Sequence, residues 1–248
     1  MDVFAGRHMP LTRAARRRGW KAIPIDLLLN GAADDVLSGA VVRRLEALLR
    51  SGKVDMLFLG PPCGTFSPWM RMCRWSSRTS QQPMGGAKGR PLHWKERIGN
   101  RLLQVAMRLA AIADELGIPW VLENPKPSLL WRTSAWHRGF HKRGLGRYTA
   151  SVDWCRYGRK WRKSTLFVGR APFLPELSAA CVGGHEHVIL QGTARDDDGK
   201  VRSRTEIAGE YSASFCDLFI DKASAWLRGG VPAPEGAALP VLAGRHSA

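Results

Sequence analysis

Residues 54–67 read VDMLFLGPPCGTFS, a continuous apolar run that ends abruptly in a glycine, two prolines and Cys63. A short apolar run bounded by turn residues is typical of a strand that is buried on both faces of a parallel sheet. The prolines stiffen the turn after the strand, so we expect Cys63 to be held at the tip of that turn. Taken alone, such a turn more often carries an inert structural thiol than a nucleophile.

The sequence on both sides of this run alternates between helix and strand patterns. The predicted order is strand 3–5, helix 11–18, strand 21–25, helix 36–50, strand 54–59, helix 98–116, strand 120–122 and a last helix 205–227. Such alternation predicts an α/β fold with a doubly wound, mostly parallel, Rossmann-like sheet and a small C-terminal appendage.

Polar clusters follow four of the predicted strands, at residues 6–8, Asp26, residues 61–67 and residues 123–125. Because ligands of open α/β sheets bind outside the carboxyl ends of the strands, we expect these clusters to line one cleft. Residues 65–94 are rich in Arg, Ser, Gln, Gly and Trp without a period, which predicts a long mobile loop beside that cleft.

The composition favours an intracellular protein that binds nucleic acid. Lys and Arg number 38 against 21 Asp and Glu, and the net charge of +17 favours a polyanionic partner. A protein of the ribosome or of a membrane surface, or one that is simply very basic, is the alternative. We expect no membrane span and no secretory signal. Five cysteines, an odd number, suit a reducing compartment, nuclear or bacterial cytoplasmic according to the source.

The strand end at residues 60–67 resembles the nucleophile loop of DNA cytosine-C5 methyltransferases, in which Pro-Cys is followed by Phe-Ser. Three more segments are similar to motifs of that family, in the same order. They are DVFAG at 2–6, similar to an Asp-Leu-Phe-x-Gly opening, WVLENP at 120–125, similar to a Glu-Asn-Val motif, and KWRKSTLFVG at 160–169, similar to a Gln-x-Arg-x-Arg motif before a strand. The resemblance implies a class I methyltransferase catalytic domain over residues 1–170.

The resemblance also implies S-adenosylmethionine as the cofactor. The implied contacts are Phe4, Ala5 and Gly6 of the first motif, Asp26 at the ribose hydroxyls, Asp35 near the adenine, and Pro61 beside the nucleophile. The first motif departs from the family where Arg7 and His8 replace a second glycine, so we expect the backbone to approach the cofactor less closely. Lys160 and Ser164 stand where the family has glutamine and its second arginine.

The catalysis that the resemblance implies begins with a covalent step. Cys63 would add to C6 of cytosine, and Glu123 would bind N3 and share a proton with it, so that C5 can accept the methyl group. A thiolate needs cationic neighbours, for which we expect Arg162, with Lys163 and Arg71 as alternatives. Glu123 taken alone is an ordinary strand-end or helix-capping carboxylate.

DNA is the predicted substrate. A base stacked in a duplex must be flipped out to meet Cys63, and the loop from Trp69 to Trp94 has residues that suit gripping the backbone and filling the vacated stack. Alternatively, these tryptophans pack elsewhere. The segment after Gly169 is too short for a sizeable target-recognition domain, given that domains rarely have fewer than about 50 residues. The rivals are an RNA (tRNA) cytosine-C5 methyltransferase, a degenerate homologue that only binds nucleic acid, and an unrelated basic α/β protein.

The C-terminal part is predicted as a short segment at 171–228 with the closing helix, followed by a disordered tail at 229–248 that is rich in Pro, Gly and Ala. Several cysteine and histidine side chains raise the question of zinc: Cys155, Cys181, His185, His187 and Cys216. The spacing Cys-x-x-x-His-x-His fits no standard zinc finger, so the sequence assigns no metal.

Overall fold

The computed structural model of the protein describes residues 1–140, 144–196 and 198–229. Apart from Gly229, the predicted tail lies outside the described residues. The order of elements is β1 (Asp2–Val3), α1 (Pro10–Arg17), β2 (Pro24–Ile25), α2 (Leu27–Asn30), α3 (Gly39–Arg50), β3 (Leu57–Leu59), α4 (Trp94–Glu115), β4 (Trp120–Pro125), α5 (Ser134–Gly139), β5 (Tyr148–Asp153), β6 (Ser164–Gly169), β7 (Thr193–Arg195), β8 (Val201–Ser203), α6 (Arg204–Ile207) and α7 (Ala213–Gly229). None of the helices in these ranges combines the length and the apolar character that crossing a membrane requires.

Six of the strands form one sheet in the order β2-β1-β3-β4-β6-β5, and β7 and β8 form a separate hairpin. The pairs β1 with β2, β1 with β3 and β3 with β4 are parallel, whereas β6 is antiparallel to both of its neighbours. Five of the six strands therefore point the same way. The predicted α/β fold with a mostly parallel central sheet is confirmed, and the architecture is compatible with a Rossmann-like fold.

Helices cover both faces of the sheet, and the side chains of β3 show how the two layers divide. Leu57 and Leu59 belong to the buried cluster beneath α3 and α4, and Phe58 belongs to the cluster beneath α1 and α7. This alternation follows from the period of two in a strand. On the second face, Phe219 of α7 packs edge-on against Phe58 with ring centroids 5.5 Å apart. The C-terminal segment thus contributes a helix to the main core.

Two of the strands are shorter than the apolar runs that predict them. The predicted strands at 21–25 and 54–59 pair only over Pro24–Ile25 and Leu57–Leu59. Val54 and Met56 are nevertheless buried, because residues that lead into a strand can pack in the core without pairing in the ladder. The predictions for these two strands were therefore too long, whereas β4 extends three residues beyond the predicted 120–122.

The helix predicted at 205–227 is interrupted between α6 and α7. A Cβ atom at Gly209 would lie 2.9 Å from the Glu206 carbonyl oxygen, so glycine permits the tight exit from α6. The second helix then begins after Ser212, whose Oγ accepts a hydrogen bond from the Phe215 amide at 3.2 Å. The prediction of one continuous helix is therefore wrong, and the interruption lies next to the sheet edge described below.

The segment between β3 and α4, which the aperiodic sequence predicts to be a long mobile loop, contains short 3-10 turns, and a buried ion pair anchors it. Glu96 in the first turn of α4 accepts hydrogen bonds from the Ser77 amide at 2.8 Å and the Ser77 hydroxyl at 2.6 Å. Arg78 is buried beside it, with its guanidinium 3.9 Å from the centre of the Phe66 ring, and it donates to the Glu96 carbonyl oxygen at 3.1 Å. Both charged side chains are fully inaccessible to solvent.

Both members of this pair carry their charges at neutral pH. Burial lowers the pKa of Arg78 to about 10, partly offset by the attraction of Glu96. Burial opposes ionisation of Glu96, but the hydrogen bonds from Ser77 and the His93 amide outweigh it and lower the pKa of the carboxyl. The two charges are paired and hydrogen-bonded, which is the condition under which buried charges are tolerated.

Replacing Glu96 with alanine is expected to lower the free energy of unfolding by about 3–5 kcal/mol, because an uncompensated charge would remain buried on Arg78. Urea denaturation measures the change. Glu115→Ala is the matched control, since this carboxylate is exposed at the other end of α4, and its effect should stay below about 0.5 kcal/mol. Equal effects of the two substitutions would show that the ion pair does not anchor the segment.

Candidate active site

The carboxyl ends of β1, β3 and β4 meet at one edge of the sheet around a cavity of about 160 Å³. Cys63 follows β3 and Glu123 lies in β4, so the sheet brings the two predicted catalytic residues to the same cavity. Lys163, directly before β6, and Tyr211, between α6 and α7, also line it, as do the charged or polar side chains of Arg7, His8 and Glu210. The cavity therefore brings a thiol, a carboxyl group, an amine and a phenol together.

The loop that carries Cys63 is fixed to the neighbouring strand. Asn124 is fully buried, and its side-chain amide donates a hydrogen bond to the Pro61 carbonyl oxygen at 2.9 Å. Cys63 then opens a 3-10 turn in which its carbonyl oxygen accepts from the Phe66 amide at 2.8 Å and the Ser67 amide at 3.0 Å. The half-buried thiol is thus held at the tip of an ordered turn, as the sequence predicts.

Glu123 is a buried carboxyl group with a protonated neighbour. The Tyr211 hydroxyl donates a hydrogen bond of 2.8 Å to its Oε2. Burial raises the pKa of Glu123, against the opposing effects of the Lys163 charge and the tyrosine hydrogen bond. Burial and the nearby carboxyl group raise the pKa of Tyr211 well above its usual value, so the phenol remains a donor. Burial therefore favours the protonated form of this carboxyl group more than in an exposed glutamate.

The environment of Cys63 favours the thiol over the thiolate. Burial raises its pKa, the nearby Glu123 adds to this effect, and the positive charge of Lys163 acts in the opposite direction. Lys163 is therefore the cation that promotes ionisation of the thiol in this cavity.

The structure places Arg162 away from the cavity that holds the other two predicted catalytic residues. Its guanidinium is 59% exposed and pairs with Asp153 at 3.2 Å, whereas the next residue, Lys163, turns inward. The Lys163 ammonium donates to the Ala208 carbonyl oxygen at 2.7 Å. Side chains of successive residues in extended backbone point to opposite sides, so only one of the two can face the cavity. The side chain of the third candidate, Arg71, lies outside the described residues.

The predicted cofactor residues divide between two adjoining cavities. Phe4 and Gly6 line both the small cavity and a larger one of about 830 Å³, which Asp26 also lines, whereas Ala5 and Pro61 line the small cavity. Both Phe4 (φ 66°) and Gly6 (φ 72°) have positive φ angles, which for Phe4 is a strained conformation.

Asp26 and Asp35 both cap turns. The carboxylate of Asp26 accepts hydrogen bonds from the Gly6 amide at 2.9 Å and the Leu28 amide at 2.8 Å, and so ties the turn after β1 to the end of β2. Asp35 accepts from the Leu37 amide at 2.9 Å. Among the described residues, Asp26 lies on the wall of the larger cavity and Asp35 on neither wall.

His8, which stands where the resemblance expects a second glycine, makes ionic contacts across the cleft. Its Nδ1 lies 2.7 Å from Glu210 and its Nε2 lies 3.1 Å from Asp198, in the turn of the β7–β8 hairpin. The hydrogen bond with Glu210 is the main cause of a raised His8 pKa, with Asp198 adding to it. The imidazole thus links the β1 turn to a segment far along the chain.

Sequence reasoning missed Tyr211, because it falls inside the helix that was predicted as continuous and carries no motif of its own. The sequence offered two adjacent cations, Arg162 and Lys163. Which of the two side chains faces the cavity depends on the orientation of the extended backbone, and the sequence alone does not show it. Comparison of the chain with protein-family models, with curated proteins and with solved structures gave no match. The fold alone therefore defines the class of the protein, which is an α/β protein with a mostly parallel sheet.

Gly60→Ala is expected to lower the free energy of unfolding by about 1–3 kcal/mol, because the new methyl group would overpack the site. Its Cβ would lie 2.8 Å from the Tyr211 hydroxyl and 3.6 Å from Glu123 Oε2. Gly64→Ala in the same loop is the matched control, since a Cβ there meets nothing within 4 Å. Thermal and urea unfolding of both variants measure the difference, and a Gly64→Ala effect as large as that of Gly60→Ala would contradict the packing described.

Cys63 is expected to react with iodoacetamide along a pH profile whose midpoint lies above the usual thiol value of about 8.5. Lys163→Met should raise the midpoint further, because it removes the charge that favours the thiolate. Mass spectrometry of the Cys63 peptide measures the rate at each pH. Lys160→Met, which removes an exposed charge nearby in the chain, should leave the midpoint unchanged. A midpoint below the usual value would refute the environment described.

Proposed function

We propose that this protein transfers the methyl group of S-adenosylmethionine to C5 of cytosine in DNA, with Cys63 as the nucleophile. The observation that carries the proposal is the shared cavity of Cys63 and Glu123, which come from neighbouring strand ends, together with Lys163 and Tyr211. A thiol and a raised-pKa carboxyl group in one small cavity suit a reaction that needs covalent addition and proton transfer on the same ring.

Different residues of the cavity carry out different steps of the proposed reaction. The Cys63 thiolate, stabilised by Lys163, forms a bond to C6 of cytosine, and protonated Glu123 gives its proton to N3. The electron pair of the C5–C6 double bond is thereby made available at C5, which would take the methyl group as the methyl–sulfur bond of the donor breaks and its sulfonium becomes a neutral thioether. Loss of the C5 proton to a base restores the double bond and expels the Cys63 sulfur as a thiolate, and N3 returns its proton to Glu123. Burial raises the pKa of Glu123, which favours the protonated carboxyl group that this step requires.

The larger cavity offers a fitting site for the methyl donor, which supplies an electrophilic methyl group on sulfur. Its volume of about 830 Å³ falls in the range of about 300–1,000 Å³ that is common for small-molecule sites. Asp26 on its wall uses each carboxylate oxygen for one backbone hydrogen bond, and each oxygen keeps a second lone pair for a ribose hydroxyl. The cavity shares Phe4 and Gly6 with the small cavity of Cys63.

Nucleic acid is the substrate that the charge and the surface favour. The chain carries a net charge of +17. In the segment after Cys63, Trp69 is 69% exposed and Trp94 is 54% exposed, and the Lys95 ammonium lies 5.4 Å from the Trp94 ring. Exposed aromatic rings interleaved with cations suit stacking on unpaired bases.

Incubation with methyl-labelled S-adenosylmethionine is expected to place the label on cytosine C5 of duplex DNA, and Cys63→Ala should abolish the transfer. Lys163→Met should reduce the rate by about 10²–10³, as removal of one charge-stabilising group does in other enzymes. Arg162→Ala should reduce it by less than about tenfold, because this guanidinium is exposed and already paired. Label counting on duplex DNA, single-stranded DNA and tRNA measures the three variants beside the unmodified protein.

A DNA duplex carrying 5-fluorocytosine tests the covalent step directly. Fluorine cannot leave C5 as a proton does, so the adduct to Cys63 should persist in the presence of the methyl donor and be identified by mass spectrometry. Transfer to tRNA but not to DNA would favour the RNA enzyme. Salt-sensitive DNA binding without cofactor binding and without transfer would favour the degenerate homologue.

A further inference from the structure

A second cluster of reactive side chains lies in the part of the chain that the candidate active site does not use. Cys155 occupies the 3-10 turn after β5, and Cys181, His185 and His187 follow one another in the segment before the β7–β8 hairpin. One ligand atom from each of these four residues lies within 4.8 Å of the other three. The fold thus adds a fourth side chain, Cys155, to the three that are close in sequence.

Backbone pairing explains how Cys155 meets the other three. The chain after residue 177 runs beside β5, where the Ala179 amide donates to the Ser151 carbonyl oxygen at 3.0 Å and the Asp153 amide donates to the Ala179 carbonyl oxygen at 2.9 Å. The Cys181 amide then donates to the Asp153 carboxylate at 2.8 Å. These contacts fix Cys181 next to the turn that carries Cys155.

The distances within the cluster match the edges of a tetrahedral zinc site. Cys181 Sγ lies 3.8 Å from His185 Nε2 and 3.6 Å from His187 Nε2. Zinc bonds of about 2.3 Å to sulfur and about 2.0–2.1 Å to nitrogen place neighbouring sulfur and nitrogen ligands about 3.5–3.6 Å apart in a tetrahedron. These two contacts therefore need only small adjustments to share one ion, and the other pairs of ligand atoms lie within 4.8 Å.

The surroundings orient two of the ligands in the manner that metal sites require. His185 Nδ1 lies 3.0 Å from the Gly183 carbonyl oxygen, so a proton on Nδ1 leaves the lone pair on Nε2, the atom that faces Cys181. The Gly183 amide donates to Cys181 Sγ at 3.4 Å, a contact that stabilises a thiolate. One short turn thus prepares both an imidazole and a thiolate for the same ion.

The segment also buries little of its own surface. Between Leu177 and Ala208 no described residue is buried, although this stretch crosses from β5 to the hairpin and back to α6. Segments that cannot bury apolar surface usually need a disulfide or a metal to hold one conformation. The hairpin in this stretch bears Arg195 and Arg202, which line the larger cavity beside the candidate active site.

We propose that Cys155, Cys181, His185 and His187 bind one zinc ion, which fastens the hairpin segment to the end of β5. Two thiolates and two imidazoles in a tetrahedron are a preferred donor set for zinc. All four positions are filled by protein, so the ion is structural and leaves no site for substrate. The proposal does not depend on methyl transfer, because none of the four side chains lines the cavity of Cys63.

The zinc content of the untagged full-length protein is the first test. We expect about one zinc per chain by mass spectrometry of the metal, with loss of more than about 90% of it in the Cys155→Ser/Cys181→Ser double variant. Cys73→Ser, which removes a half-buried cysteine elsewhere, is the matched control and should retain the ion. Replacement of zinc by cobalt(II) should give the strong visible absorption of a tetrahedral site with sulfur ligands.

Limited proteolysis of the unmodified protein keeps the proposal testable if the double variant fails to fold. Chelation should expose residues 178–207 to cleavage, and added zinc should restore protection, whereas magnesium should not. A protein without zinc that takes up none on reconstitution would overturn the proposal. So would zinc retained by the folded double variant, a disulfide between Cys155 and Cys181 in the protein purified under reducing conditions, or cleavage that chelation does not change.

Discussion

A buried hydrogen bond from the Asn124 amide to the Pro61 carbonyl oxygen joins the ends of the two central strands. Pro61 lies two residues before Cys63, and Asn124 directly follows Glu123, so this one contact fixes the relative positions of the thiol and the carboxyl group. Asn124 is fully buried, so breaking the bond would leave its side-chain N–H group with no hydrogen-bond partner, neither protein nor water. The parallel pairing of β3 and β4 sets the distance between the strands, and the amide sets the course of the loop.

The electrostatics of the cavity follow from this enforced proximity. Burial raises the pKa of both Cys63 and Glu123, and each would, when ionised, make the ionisation of the other harder. The charge of Lys163 opposes both shifts, because a cation stabilises the thiolate and the carboxylate alike. A basic residue at this position therefore sets how far the two groups of the cavity move toward their ionised forms.

The sequence predicted those features that depend on local apolar pattern. The run at 54–59 indicated a buried strand, and the polar residues after it fell at the same sheet edge as Glu123, because parallel strands end together. The sequence could not predict features that depend on distant pairing. Strand β5 buries Tyr148, Ala150 and Val152 at alternate positions, but the polar residues between them and the small Ala150 left too weak an apolar pattern. Tyr211 reaches Glu123 because the predicted helix breaks near Gly209, and Cys155 reaches Cys181 because the chain after Leu177 runs beside β5.

The two segments that flank the cleft are held by polar contacts. The segment after β3 is anchored by the buried Glu96 and Arg78, and the hairpin segment is tied to the β1 turn by His8 between two carboxylates. Because the pKa of His8 is raised, its ionic link is fully present below the ordinary histidine value and is lost as the pH rises through the raised one. Apolar burial in the sheet core has no such dependence. As the pH rises, the hairpin side of the cleft can therefore lose its contact with the β1 turn, while the strand ends that hold Cys63 and Glu123 stay in place.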